Sequence, residues 1–120
     1  MTRTALLLAA VLVATPAHAA SVTIRSCYDG DTCRSTKGER IRLACIDAPE
    51  RGKAGDFAAT STLRQMVQGR QVGIRRITRD RYGRSIAELY VDGTNVGQEL
   101  VRQGYAWIYG RYAYQCPWAK

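Results

Sequence analysis

The chain has 120 residues, with eighteen lysines and arginines against ten acids and a single histidine, giving a formal net charge of +8. Residues 1–19 have the make-up of a secretory leader: Arg3, an apolar run from Ala5 to Ala14, and a small-x-small cleavage site at Ala17-His18-Ala19. That run is too short to span a bilayer, and nothing later is long or apolar enough to do so.

The expected mature chain, residues 20–120, is one small domain without a membrane segment, released to the periplasm or the exterior. It keeps seventeen bases and all ten acids, a net +7, and fourteen of those bases are arginine, whose planar fork suits phosphate. It keeps no histidine, because His18 leaves with the leader. Ser-His-Asp triads, Cys-His pairs and His-ligated zinc are therefore excluded. Acid–base work would fall to Asp, Glu, Lys, Tyr or Cys, and any metal would be a hard ion held by oxygen. Cys27, Cys33, Cys45 and Cys116 contain no CxxC pair and belong to a chain bound for an oxidising compartment, so two disulfides are expected, with three possible connectivities.

Taken in order, Ser21 to Ile46 reads as three short strands, with turns at Asp29-Gly30 and Lys37-Gly38 and the third strand over Ile41–Ile46. Pro49 ends this region. A helix follows from about Asp56 to Gln68, with Ala59, Leu63, Met66 and Val67 forming one apolar stripe and Gly69 stopping it. Gln71–Thr78 and Ser85–Val91 are the next strands. After an Asp92-Gly93 turn, Asn95 and Gln98 have the spacing of a capping box for a second helix, about Val96 to Gln103, with Gly104 at C′. The order β-β-β-α-β-β-α fits an α+β OB-fold, a five-stranded barrel with two helices. The fold alone assigns no function.

Three segments carry possible chemistry. Asp29-Gly30-Asp31-Thr32 places two carboxylates on one tight turn, at a cost unless a cation joins them, although Asp-Gly is also the commonest turn pair. In Ile41-Arg42-Leu43-Ala44-Cys45-Ile46-Asp47-Ala48-Pro49-Glu50, strict alternation would put Arg42 and Asp47 on opposite faces. They can share a site only if the strand ends or bulges between them; otherwise Arg42 and Glu50 make an ordinary surface ion pair. Asp80-Arg81-Tyr82-Gly83-Arg84 mixes bases with an aromatic on the turn between the last two barrel strands.

In this order and spacing, the three segments together resemble the staphylococcal nuclease (thermonuclease) family. A fourth match is Glu88-Leu-Tyr-Val-Asp-Gly-Thr-Asn-Val96, leading to Leu100-Val-Arg-Gln-Gly104, so the resemblance runs from about Val22 to Tyr109. It implies a calcium-dependent endonuclease acting on DNA and RNA with little sequence specificity and leaving 3′-phosphate ends. It implies Asp31, Asp47 and the Ala48 carbonyl as calcium ligands, with Asp29 as an outer-shell acid. Glu50 resembles the residue that orients or deprotonates the attacking water. Arg42 and Arg84 resemble the pair that grips the scissile phosphate, and Arg81 and Tyr82 the contacts to its neighbour.

Two departures stand out. The family often has Thr where this chain has Ala48, and members usually continue into a third helix beyond the aromatic stretch Tyr105–Trp118. Either that helix is absent and a disulfide through Cys116 compensates, or the sequence is truncated. Cys27 and Cys33 flank the first turn and could face each other, so the expected pairs are Cys27–Cys33 and Cys45–Cys116. A monomer is expected. The alternative function is a nucleic-acid-binding OB module without catalysis, but a pure binder has no use for three acids facing a polyanion. A structural or adhesion module would explain the cysteines and not the acids.

Overall fold

The computed structural model describes residues 20–120, so the leader lies outside the described residues. The chain forms β1 (Ser21–Asp29), β2 (Thr32–Ser35), β3 (Arg40–Leu43), β4 (Ile46–Asp47), α1 (Asp56–Val67), β5 (Gln71–Arg79), β6 (Ser85–Val91), β7 (Thr94–Asn95), α2 (Val96–Arg102) and β8 (Trp107–Ile108). Two 3₁₀ turns, Gly110–Gln115 and Pro117–Ala119, follow. Strands β1, β2, β3, β5 and β6 are the five expected. Antiparallel pairing runs β3-β2-β1-β5-β6, and a parallel pairing of β3 with β6 closes the barrel. The result is an α+β fold of OB type.

Both helices form where their apolar spacing and end signals place them. In α1, Ala59, Leu63 and Val67 are buried on the barrel. Arg64, on the same helix, donates from Nε and Nη2 to the Cys27 carbonyl at 3.1 and 2.9 Å, which clamps the helix to β1. The Asn95 side chain accepts from the Gln98 N–H at 3.0 Å to cap α2, and Gly104 closes it with φ +82°. The core is built from Ile24, Ile41, Leu43, Ile46, Leu63, Ile74, Leu89 and Leu100, all nearly inaccessible. Among the described residues no helix is long and apolar enough to cross a membrane.

The third strand is shorter than its sequence suggests. It ends at Leu43, and Ala44-Cys45 make a turn with Cys45 at φ +70° before the two-residue β4. β4 pairs with β8, Ile46 opposite Ile108 and Asp47 opposite Trp107. Alternation is broken here because the chain leaves one sheet for another.

Both disulfides are the expected pairs, Cys27–Cys33 and Cys45–Cys116. The first joins directly opposed residues of the β1–β2 hairpin. The second ties the Ala44-Cys45 turn to the C-terminal segment across 71 residues, a closure worth about 4 kcal/mol in the chain-entropy model.

That segment has a second anchor. The Glu88 carboxylate on β6 is buried and accepts from Trp118 Nε1 (2.7 Å), Asn95 Nδ2 (3.0 Å), Tyr90 OH (2.7 Å) and Arg75 Nε (2.9 Å). Burial alone would raise its pKa, but these donors outweigh it and hold the group below its ordinary 4.5. A depressed carboxylate stabilises the fold above its unfolded pKa, and this contribution is lost as pH falls below about 4.5 toward the folded value. Glu88→Gln removes a charge-assisted acceptor and is expected to cost about 2 to 3 kcal/mol in urea denaturation at neutral pH. The gap to the parent should narrow in acid; a gap independent of pH would show that the charge contributes nothing.

Candidate active site

The β1–β2 hairpin turns on Gly30-Asp31. Gly30 does not adopt a left-handed conformation, so it is not there for a sharp bend. It is required by close approach: a Cβ would lie 2.8 Å from the Cβ atoms of both Ala48 and Ala59. The turn is thus wedged between the segment after β4 and helix α1. This buries Asp31, with 6 % of its surface exposed.

Asp31 and Asp47 converge. Asp31 Oδ2 and Asp47 Oδ1 both accept from the Ala48 N–H, at 3.0 and 3.1 Å. Both oxygens also lie 3.5 Å from Arg42 Nη2. Arg42 Nη1 donates to the Leu43 and Ile46 carbonyls at 2.6 Å each, so its guanidinium folds over the Ala44-Cys45 turn. The early end of β3 therefore brings Arg42 and Asp47 together, and Arg42 pairs with these two acids rather than with Glu50. Glu50 is exposed on the loop after Pro49. It does not line the cleft described below. Asp29 accepts the Asp31 N–H at 3.1 Å, and its carboxyl lies beside that of Asp31.

Barrel closure brings in the second arginine. Arg42 is paired with Ile86 across the β3–β6 seam, and Arg84 ends the turn that leads into β6. Within that turn Asp80 accepts from the backbone N–H groups of Tyr82 and Arg84 and from Arg84 Nε, at 3.0, 2.9 and 2.6 Å. Asp80 thereby fixes the Arg84 guanidinium, a positioning role that the sequence motif alone does not reveal. Arg81 donates to the Tyr82 hydroxyl at 2.7 Å, and the Tyr82 ring is 58 % exposed. Between this turn and the β3–β4 turn lies a cleft of about 680 Å³, whose third wall is Tyr109, Arg111, Tyr112 and Tyr114. The Cys45–Cys116 disulfide and the Tyr109 N–H, donating to the Cys45 carbonyl at 2.8 Å, hold that wall in place. The tyrosines had a visible signal, the aromatic run itself, but nothing local in the sequence turns it toward the cleft.

Among the described residues, no three His, Cys, Asp or Glu side chains form a ready-made metal cage. What converges is an all-oxygen pair, Asp31 and Asp47, with Asp29 behind it. Burial pushes the Asp31 carboxyl up from 3.8 to about 7 despite the pull of Arg42, and the neighbouring Asp29 adds to the rise. The donor set, carboxylate and carbonyl oxygens alone, fits a hard divalent cation.

These features define a class: an OB-fold domain whose closing seam carries a cleft of arginines and tyrosines, with Asp47 on its lining and Asp31 buried beside it. Comparison of sequences narrows it. The profile of the family described as Staphylococcal nuclease homologue matches residues 40–117, and the chain belongs to that family. It is 43% identical over 88 residues to an "Uncharacterized endonuclease" of Escherichia coli O157:H7, covering 70% of this chain and 58% of that one. It is 40% identical over 76 residues, 63% of this chain and 23% of the other, to a "Probable staphylococcal-like nuclease CAN1" of Oryza sativa subsp. japonica. To "Protein ParB" of Escherichia coli it is 35% identical, with 91% of this chain and 69% of the other covered. The chain thus spans little more than half of the Escherichia coli O157:H7 relative.

The Asp31 shift has a measurable consequence. A carboxyl whose folded pKa lies above the unfolded one favours the fold while neutral, and that contribution is lost as pH rises from about 4 through about 7. In chelator, Asp31→Asn should therefore gain in Tm over the parent across this interval. A Tm difference that stays flat with pH would mean that Asp31 is not strained by burial.

Proposed function

We propose that the chain is a secreted or periplasmic, monomeric, calcium-dependent endonuclease that hydrolyses phosphodiester bonds of DNA and RNA with little sequence specificity. The observation that carries this reading is the convergence of Asp47 and the buried Asp31 on Arg42, where Arg42 and Asp47 line the cleft that also holds Arg84. Family membership supports it, and the leader-like residues 1–19 support export.

Asp31, Asp47 and the Ala48 carbonyl would hold the calcium ion, with Asp29 acting through water. Bound there, the ion would polarise the phosphate and lower the pKa of a bound water. The remaining steps belong to the chain's own groups. Arg42 and Arg84 approach the scissile phosphate from two walls and offset the charge that grows on its oxygens, as always-ionised planar donors can. Asp80 orients Arg84 beforehand, so little reorganisation is needed when the phosphate arrives. Glu50 takes the proton of the attacking water, a task that needs no histidine. Its exposed loop must bring it to the phosphate when substrate binds. Arg81 and Tyr82 hold the adjacent phosphate and sugar. The tyrosine wall offers ring faces on which any base can stack, which suits a substrate bound without sequence readout.

A binding module without catalysis is the competing reading. It leaves unexplained why Asp47 lines a cleft shaped for a polyanion, with Asp31 buried just behind it, where each repels the ligand.

Plasmid DNA and RNA incubated with the purified protein should be cut in calcium and left whole in excess chelator. Undiminished cutting in chelator would end the calcium assignment. Magnesium should support less turnover, because its strict octahedral shell suits a flexible oxygen site poorly.

Glu50→Gln should lower turnover about a hundredfold or more while nucleic-acid binding holds or tightens. Arg42→Lys and Arg84→Lys keep the charge but lose the fork, and each should also slow turnover by about a hundredfold or more, with only a modest effect on binding. Steady-state rates and binding at fixed salt read both. A Glu50→Gln protein as fast as its parent would remove Glu50 from the mechanism, and an inactive parent that still binds nucleic acid would hand the case to the binding module.

A further inference from the structure

We propose that a second groove, behind the turn that carries Arg81, Tyr82 and Arg84, is a phosphate-binding track for the part of the polynucleotide that runs off the cleft. This inference rests on the nuclease reading above and extends it to the length of substrate that the domain holds.

The groove encloses about 500 Å³ between the β2–β3 turn, the end of β5 and the back of the β5–β6 turn. Its charged residues are Lys37, Arg40, Arg76 and Arg79 against a single acid, Glu39. Glu39 is already committed. It accepts from Arg76 Nε and Nη2 at 2.8 and 2.7 Å and from the Ser85 hydroxyl at 2.7 Å. Lys37, Arg40 and Arg79 make no close ion pair among the described residues, although Arg79 feels the charge of Glu39, and all three residues are exposed. Four cations around one concavity with a single acid among them repel one another unless an anion joins them.

Continuity identifies the anion. Arg79 lines both the groove and the cleft, and the β5–β6 turn is the partition between them, with Gly83 facing the groove and Tyr82 the cleft. Arg40 buttresses that partition: its guanidinium donates to the Tyr82 carbonyl and lies so close to Gly83 that a Cβ there would sit 3.2 Å from Nη2. A strand gripped by Arg81 and Tyr82 meets Arg79 and Arg40 as soon as it crosses the turn. The groove has no aromatic lining, so it offers nothing for a base to stack on. It reads backbone phosphates alone, in contrast to the tyrosine-walled cleft. An OB-fold covers about 4 to 16 nucleotides depending on how much of its surface is used, and this groove would move the domain toward the longer end.

The test uses fluorescence anisotropy in excess chelator, where the probe is not cut, with single-stranded oligonucleotides of about 4 and about 16 nucleotides. Lys37 lies on an exposed turn outside the catalytic cleft, so Lys37→Glu isolates the groove. Its affinity for the long probe should fall about fivefold or more, and the slope of log affinity against log salt should shrink by about 0.7, one phosphate contact. The short probe should bind as it does to the parent, and Lys37→Arg should restore long-probe binding. Arg102→Glu, on α2 and outside both depressions, is the charge-matched control and should leave the slope unchanged.

If Lys37→Glu weakens both probes equally, or matches Arg102→Glu on the long one, the track is refuted while the nuclease reading stands. If the parent binds neither probe and does not cut in calcium, the nuclease reading falls and takes this inference with it.

Discussion

The parallel pairing of β3 with β6 is the contact on which the site depends. Ile41, Arg42 and Leu43 lie beside Ser85, Ile86 and Ala87 although more than forty residues separate them. Before this pairing forms, Arg42 and Arg84 belong to distant stretches of chain. Once it forms, the arginine inside β3 and the arginine just before β6 flank one cleft. On the opposite edge of β3 the Leu43 N–H donates to the Asp31 carbonyl at 2.8 Å, which fixes the depth of Asp31 at the point where β3 leaves the barrel. Closing so long a loop costs entropy that only the buried core and the cross-links can offset.

The covalent and polar anchors sit where the seam is most exposed to failure. After Leu43 the backbone must turn through a left-handed residue, and that residue is Cys45, tied to Cys116. One cross-link therefore fixes the break that lets Asp47 rejoin Arg42 and, at its other end, the tyrosine wall. Glu88 secures the same C-terminal segment from the other side, through Trp118 Nε1 directly and through Arg75, whose Nη2 donates to the Gln115 carbonyl at 3.2 Å. A segment with two short 3₁₀ turns has little local stability of its own. Here it borrows rigidity from the barrel, and the cleft gains a third wall.

Much of this was legible in the sequence, for a reason that also marks the limit. Helix stripes, caps and turn glycines are local signals, and Ala59–Leu63–Val67, Asn95 and Gly104 stand where such signals place them. The need for a break between Arg42 and Asp47 was likewise visible from alternation, and it falls at the Ala44-Cys45 turn. Features set by tertiary approach were not visible. Gly30 was readable as a bend residue, yet its use is to admit Ala48 and Ala59. Asp80 stood out in the sequence only as part of a basic turn, yet it holds Arg84. The β4–β8 pairing involves two residues a side, too few for any period to show. The basic groove behind the β5–β6 turn draws on Lys37, Arg40 and Arg79, which read as scattered surface charge until the barrel gathers them.

The same gathering explains why a strongly basic domain keeps its acids in the one place where they are most costly. Asp31 is buried next to Asp29 and within reach of Asp47, so three potential charges share a small volume with one guanidinium. Evenly spread arginines would bind a polyanion more tightly without them. A domain selected only for affinity would replace Asp31 by an apolar or amide side chain and become more stable near neutral pH. Retaining the acids makes sense if the cleft must hold a cation as well as a phosphate. In the proposed function the arginines would bring the substrate in against that local negative charge, and the two sets of groups would act on the same phosphate from different walls. In the same proposal the exposed basic groove would spread attraction along the strand, while the opposed charges stay gathered beside the cleft.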